Sequence, residues 1–397
     1  MAEGGKRISY PLRVIVRTET LNTNETTVGS AVHLDRRRFL IRGLALSGGV
    51  LVDAGSCGGY MKRADFQNAQ EQARLAAREL SLVEIAEGRL HHYNGRFVNP
   101  IGLGGAVGIP RLVKWRFFSK NEFKQYYDQE PTVEVSVDWR LVMMEKNPSI
   151  TFIRHAMLFI RIGEKNLLVD PVFSTIIGVH DDFSPLAFSP AEMPKPDCVL
   201  ITHGHFDHLD IASLSLLNDD THVVSPLGYD DLYDRAGLRN RTHLDWFESY
   251  RDGDVTITFL PCDHWTMRNP IVGPNTGLWG SFVIECDGGP TLYLSGDTAY
   301  FDRIGEIGDM FDIDLAVFNL GAYEPRWFMS TSHINPEDTV TAFRQLGAKR
   351  LMVAHWVTFR LGDEPVHFPP KNILREMERQ GLEERFVSLN HGESYFF

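Results

Sequence analysis

Cysteine is scarce: Cys57, Cys198, Cys262 and Cys286 are the only four in 397 residues, and no pair has zinc-finger spacing. A disulfide scaffold is excluded by that count. The last three sit in or beside apolar runs and read as small buried hydrophobes. An excess of positive charge is also missing. The net charge is −12 at pH 7, which argues against nucleic acid as a partner, because binding phosphates requires a basic surface. No apolar run reaches the ~20 residues of a membrane-spanning helix. Internal repeats are absent. What remains, 43% hydrophobic and 23% charged, is an ordinary globular composition with a sizeable core.

Against that background one stretch stands out, residues 198–210, CVLITHGHFDHLD. The apolar run Cys198–Ile201 reads as a buried strand. His203, His205, Asp207 and His208 follow within six positions. Imidazole and carboxylate suit Zn²⁺ and related divalent ions. In extended chain, residues two apart point the same way, so His203 and His205 can grip one ion while Asp207 and His208 face a second. Further donors follow apolar runs elsewhere: Asp263 and His264 after 255–260, Asp297 after 291–295, and His355 after 350–354. A sheet fixes the origin of such residues and a loop exposes them.

Residues 1–34 are polar and aperiodic and read as unstructured. Asp35-Arg36-Arg37-Arg38-Phe39-Leu40, an apolar stretch from Gly43 to Val52, and Ala54-Gly55-Ser56-Cys57 then compose a secretory signal. The arginines resemble a twin-arginine signal, and the small residues before Cys57 resemble a lipoprotein processing site. The expectation is export to the bacterial cell envelope with a lipid anchor at Cys57. The alternative is a cytoplasmic protein peripheral to the membrane. Residues 64–87 have helix-forming composition. The segment LVKWRFF, 112–118, mixes aromatics with Lys114 and Arg116 and suits either a membrane interface or packing on the core.

From Pro148 onward short β-branched and aromatic runs read as strands, recurring at 222–225, 254–260, 281–286, 291–295, 314–319 and 350–354, with helices such as 336–346 and 370–380 between them. The order implies two mixed β-sheets with helices outside. The expected domains are a leader and signal over 1–57, a helical N-terminal extension packing on the core over 58–147, and a hydrolase domain over 148–397.

HxHxDH followed by a spaced His, Asp and His resembles the metallo-β-lactamase superfamily. The segments RFVNP, LLVDPVFS, ITHGHFDHLD, DHWTMR, SGDTAY, GAYEPRWFM, HINPED and AHWVTF resemble more closely its N-acylphosphatidylethanolamine-hydrolysing phospholipase D family. The resemblance implies an α/β fold of αββα sandwich type with two zinc ions. His203, His205 and His264 would hold one, Asp207, His208 and His355 the other, and Asp297 would bridge them. It implies hydrolysis of a phospholipid phosphodiester by a metal-bridging hydroxide, a membrane surface as partner, and a homodimer. Asp297, Asp207 and His333 are the expected catalytic residues, with His333 contacting phosphate or protonating the leaving group. Tyr323, Arg326 and Trp327 are the expected substrate contacts, and Asp170 is expected to orient a histidine ligand. Two alternatives stand beside this reading: a lactonase or esterase on a soluble substrate, and a non-catalytic binding protein that retains the metals.

Overall fold

The computed structural model describes residues 13–16, 63–103, 109–176, 182–269 and 271–397. The signal region and Cys57 lie outside the described residues. Strands follow in chain order: β1 (Arg13–Val16), β2 (His92–Tyr93), β3 (Arg96–Phe97), β4 (Ser149–Arg154), β5 (Met157–Ile162), β6 (Lys165–Val169), β7 (Cys198–Leu200), β8 (His222–Pro226), β9 (Arg241–Leu244), β10 (Glu248–Asp252), β11 (Val255–Leu260), β12 (Ser281–Cys286), β13 (Leu292–Leu294), β14 (Leu315–Asn319), β15 (Arg350–Ala354) and β16 (Ser394–Phe396). They form two mixed sheets, ordered β16-β4-β5-β6-β7-β8-β9 and β1-β10-β11-β12-β13-β14-β15, plus the small hairpin β2-β3.

Alternation along β5 explains the layering. Leu158 and Ile160 enter one buried cluster, which also holds Ile257, Phe259, Phe282 and Ile284 of the second sheet. Met157 and Phe159 enter another, with Leu232 and Tyr233 of the helix Asp230–Ala236. Side chains two apart share a face, so each face of the first sheet is covered, one by a sheet and one by helices. The second sheet is covered from outside by the helix Pro336–Leu346. That helix starts where Asn335 accepts a hydrogen bond from the Asp338 N–H and Pro336 sets the first turn, and it stops at Gly347 in the left-handed region. Its stripe Val340, Phe343 and Leu346 is buried. Truncating Phe343 to Ala would remove about 3–5 kcal/mol.

One expectation is corrected. Residues 13–16, read as part of an unstructured leader, form a strand parallel to β10 at the edge of the second sheet. The run Arg-Val-Ile-Val is β-prone but too short for periodicity to reveal. The helix expected over 64–87 is interrupted: it runs Arg63–Ala76 and restarts at Leu82–Glu87 behind a Ser81–Glu84 capping box. Leu82, Val83, Ile85 and Phe97 join the main buried cluster, and the Leu82 N–H is donated to Glu306 at 2.7 Å. Among the described residues no helix is long and apolar enough to cross a membrane.

Candidate metal centre

The centre lies at strand ends. β6 and β7 run parallel, so Asp170, just past β6, and Thr202, just past β7, emerge side by side. Asp170 Oδ1 accepts the Thr202 N–H at 2.8 Å, and Oδ2 accepts the Thr202 hydroxyl at 2.6 Å and His208 Nδ1–H at 2.7 Å. Because the Thr202 hydroxyl is spent on Asp170, its oxygen accepts His203 Nδ1–H at 3.0 Å. The backbone carbonyl of Ser332 accepts His264 Nδ1–H at 2.9 Å. These partners fix ring orientation: His203 and His264 each present a bare Nε2, and His208 turns its Nε2 the same way. Gly204 has no Cβ because one would sit 2.4 Å from Cε1 of the buried Tyr229.

Those bare nitrogens converge. His203 Nε2 lies 2.9 Å, and His264 Nε2 3.2 Å, from Nδ1 of His205. Asp207, His208 and His355, joined by His155, form an adjacent group. Asp297 stands between the two groups. Its Oδ2 is 3.3 Å from His208 Nε2 and 4.0 Å from both His203 Nε2 and His264 Nε2, and its Oδ1 is 3.3 Å from His355 Nε2. All seven expected donors are therefore brought together from loops after β7, β11, β13 and β15.

The residues fit divalent ions. His208 Nε2 and His355 Nε2 are buried and make no hydrogen bond, an arrangement that costs about 1–3 kcal/mol per atom unless a ligand satisfies it. Burial, and then neighbouring imidazoles, holds His203 well below the ordinary imidazole range. Burial does the same to His264, and brings His205 to about 4. All three are neutral at pH 7, the form that coordinates a metal. His355 behaves oppositely. Burial lowers it, but Asp297 and Asp207 prevail and raise it to about 9, as two carboxylates do where cations belong.

Residues 165–356 match the family described as the Beta-lactamase superfamily domain. A mitochondrial N-acyl-phosphatidylethanolamine-hydrolyzing phospholipase D of Saccharomyces cerevisiae is 30% identical over 245 residues, 58% of this chain and 52% of that protein. The chain thus spans about half the length of this relative. A UPF0173 metal-dependent hydrolase of Pelotomaculum thermopropionicum is 31% identical over 223 residues, 55% of this chain and 89% of that protein. The chain belongs to the metallo-β-lactamase superfamily, in its N-acylphosphatidylethanolamine-hydrolysing phospholipase D-like family. The fold agrees: a solved possible metal-dependent hydrolase from Veillonella parvula superposes with TM-score 0.53 at 18% identity, covering 63% of this chain and all 100% of that one. On this metallo-β-lactamase fold the His/Asp cluster is able to hold metal.

Around that cluster the other expected residues divide. His333 reaches the rim, its Nδ1 3.8 Å from Asp297 Oδ2 and its ring 5.5 Å from that of His264. Burial lowers it to about 4. Arg326 does not reach the donors. Its guanidinium donates to the carbonyls of His333 and Tyr323 and pairs with Asp338. It is a strut that holds the His333 loop. Tyr323 is buried, and its hydroxyl accepts from Asn372. Trp327 is 38% exposed beneath Arg111 and Lys114.

Three contributors escaped the sequence reading. His155 Nε2 donates to Asp207 Oδ2 at 3.0 Å; burial lowers this ring to about 3, so it is a neutral donor. Asn319 donates to Asp297 Oδ1 at 2.9 Å. Asn99 donates to Asp263 Oδ1 at 2.6 Å and to the His264 carbonyl at 3.1 Å, bracing the His264 loop. Asp170, His155 and His355 all have positive φ, 41°, 48° and 70°. Such strain costs about 1–3 kcal/mol per residue and is retained where surrounding structure enforces it.

Proposed function

We propose that this protein is a zinc-dependent phosphodiesterase that cleaves a phospholipid in the manner of a phospholipase D. The observation that carries the reading is Asp297, one carboxylate within 4.0 Å of four ligand nitrogens from both donor groups. His203, His205 and His264 would hold one zinc ion, Asp207, His208 and His355 the other, and Asp297 both. When bound, the ions supply Lewis acidity toward phosphoryl oxygens and activate water near neutral pH.

The chain's own residues organise the rest. Asp170 and Ser332 keep the imidazoles turned inward. Asn319 occupies one side of the Asp297 carboxylate and leaves Oδ2 facing His203, His208 and His264. His333, neutral at pH 7 and beside Asp297, is positioned to hydrogen-bond a phosphoryl oxygen of the substrate through its ring N–H. Trp265, edge-on to His205 with ring centroids 4.9 Å apart, shields that ligand from solvent. The phospholipid reading is supported by the yeast relative's name and by the sequence segments shared with its family.

A membrane surface is the proposed partner. Phe117 and Phe118 are 75% and 79% exposed, and the exposed cations Arg111, Lys114, Arg116 and Lys120 flank them in sequence in a chain that is otherwise strongly acidic. Each cation adds about 1 kcal/mol of attraction to an anionic bilayer. Trp115 stacks on Phe328 with centroids 4.8 Å apart, which ties this segment to the loop that carries His333. Export and lipidation at Cys57 complete the proposal. An intact N-terminus on the native cytosolic protein, read by mass spectrometry, would remove that part alone.

The test is a substrate panel run with and without chelator, comparing wild type with Asp297→Asn. Chelator-sensitive turnover of N-acylphosphatidylethanolamine, lost in the variant, is expected. Turnover of lactones with inertness toward every phosphodiester would overturn the lipid reading in favour of a soluble-ester hydrolase.

A further inference from the structure

Four groups of described residues converge metal-ligating atoms within 4.8 Å of one another; three of them belong to the centre above, and the fourth, His91, His92 and Asp245, shares no residue with it. His91 Nε2 lies 2.6 Å from Asp245 Oδ1, and His92 Nε2 lies 2.8 Å from Asp245 Oδ2. Both imidazoles thus aim the same ring nitrogen at one carboxylate, from the two sides. Their rings meet edge to face, with centroids 4.3 Å apart.

The surroundings fit a held ion better than a loose contact. His91 is fully buried and lies flat on Trp246, at 4.1 Å and 18°. Asp245 Oδ1 also accepts the Trp246 N–H at 2.9 Å, and the Asp245 N–H is donated to Glu248 at 3.0 Å, so the carboxylate is anchored at the β9–β10 turn. The outer side is open to water: His92 is 23% and Asp245 15% exposed at the side chain. One cation opposes an ion here. The Arg89 guanidinium is 3.6 Å from Asp245 Oδ2 and 3.4 Å from His92 Nδ1, but its side chain is 65% exposed and free to swing outward.

We propose that His91, His92 and Asp245 form a third divalent-cation site, of zinc class, with a water-facing fourth position. Two imidazoles and one carboxylate are a recurrent zinc donor set. Zinc–ligand lengths of about 2.0–2.2 Å place donors roughly 3.3 Å apart, so the rings need only part by under about 1 Å. The site clips the segment that leads to Asn99. The Val98 N–H is donated to the His91 carbonyl at 2.9 Å, and the next residue, Asn99, braces Asp263 and the His264 loop. An ion at this position would therefore stiffen one ligand of the central pair from a distance, without touching substrate.

The experiment counts metal on the full chain. Protein stripped by chelator is titrated with Zn²⁺ alone, and bound metal is measured by mass spectrometry after gel filtration at defined free zinc. Wild type is expected to reach three equivalents, and His92→Gln and Asp245→Asn to stop at two. Arg89→Ala is expected to fill the third position at lower free zinc. Limited proteolysis within 90–99 should slow on filling the third position in wild type and not in His92→Gln. His92 is partly exposed, so His92→Gln decides the matter if Asp245→Asn fails to fold. Saturation of wild type at two, or a third equivalent retained by His92→Gln, overturns the proposal. Neither result bears on the phosphodiesterase reading, which concerns the central pair.

Discussion

Asp170→Asn perturbs the centre through one atom pair and makes a graded prediction. The carboxylate is purely an acceptor: Oδ1 for the Thr202 N–H, Oδ2 for the Thr202 hydroxyl and His208 Nδ1–H. An amide must turn its NH₂ toward one of these donors. The buried donor left facing it costs about 1–3 kcal/mol of folding stability. Metal binding suffers separately. Freeing His208 to rotate should weaken its ion 10–100-fold, roughly 1.4–2.7 kcal/mol. The other ion weakens less, through Thr202 and His203. Thr202→Val provides the contrast, because it keeps the backbone donor and the Asp170–His208 bond but strips the acceptor from His203 Nδ1. It should therefore weaken chiefly the ion held by His203. Chelator-competition titrations of stripped protein resolve the two dissociation constants, and urea unfolding without metal gives the stability term. If both constants in Asp170→Asn lay within about threefold of wild type, the idea that second-layer carboxylates set ligand orientation here would be wrong.

Other perturbations are read as simply. Burial raises the Glu364 carboxyl to about 7 from 4.5, so the folded state binds more protons than the unfolded one between those values. Wild type should lose about 3 kcal/mol relative to Glu364→Gln as pH rises from 4.5 to 7, and parallel urea curves for the two proteins would contradict this. Gly204→Ala drives a methyl into the Tyr229 ring, which is fixed by its hydroxyl's bond to the Leu278 carbonyl. A loss of about 1–3 kcal/mol, together with weaker metal binding, is expected from calorimetry. Arg326→Ala releases the His333 carbonyl, so kcat should fall while KM for short-chain phosphodiesters stays within about twofold, as for an interaction made only in the transition state; a rise in KM alone would restore Arg326 to the substrate. Phe117→Ser with Phe118→Ser should abolish sedimentation with anionic vesicles and leave hydrolysis of a monomeric substrate unchanged.

The metal donors were legible because each group follows within a few residues of an apolar strand. His355 comes straight after β15, and Asp297 is separated from β13 only by Ser295 and Gly296. The strands expected at 254–260 and 281–286 are found at 255–260 and 281–286, since β-branched runs announce themselves. β9 and β10, RTHL and ESYRD, did not, because their polar residues satisfy one another across strands; His222, for instance, is 2.9 Å from the Thr242 hydroxyl. His155 was hidden inside FIRHAMLFI, where an isolated imidazole looks like core. Asn99 and Arg326 act through partners 164 and seven positions away, respectively, and neither spacing has a signature that a local reading can use. Sheet order was equally out of reach, since β16 closes beside β4 across nearly the whole domain.

The distribution of the donors along the chain also has a consequence in time. His203, His205, Asp207 and His208 are synthesised early, but His355 arrives about 150 residues later, and it comes from the opposite sheet. A nascent chain halted before that residue carries an acidic, histidine-rich pocket with one wall missing. Metal loading that uses the whole donor set therefore waits until His355 has emerged and its sheet has formed, and any ion captured sooner would be held by an incomplete set of ligands and would remain exchangeable.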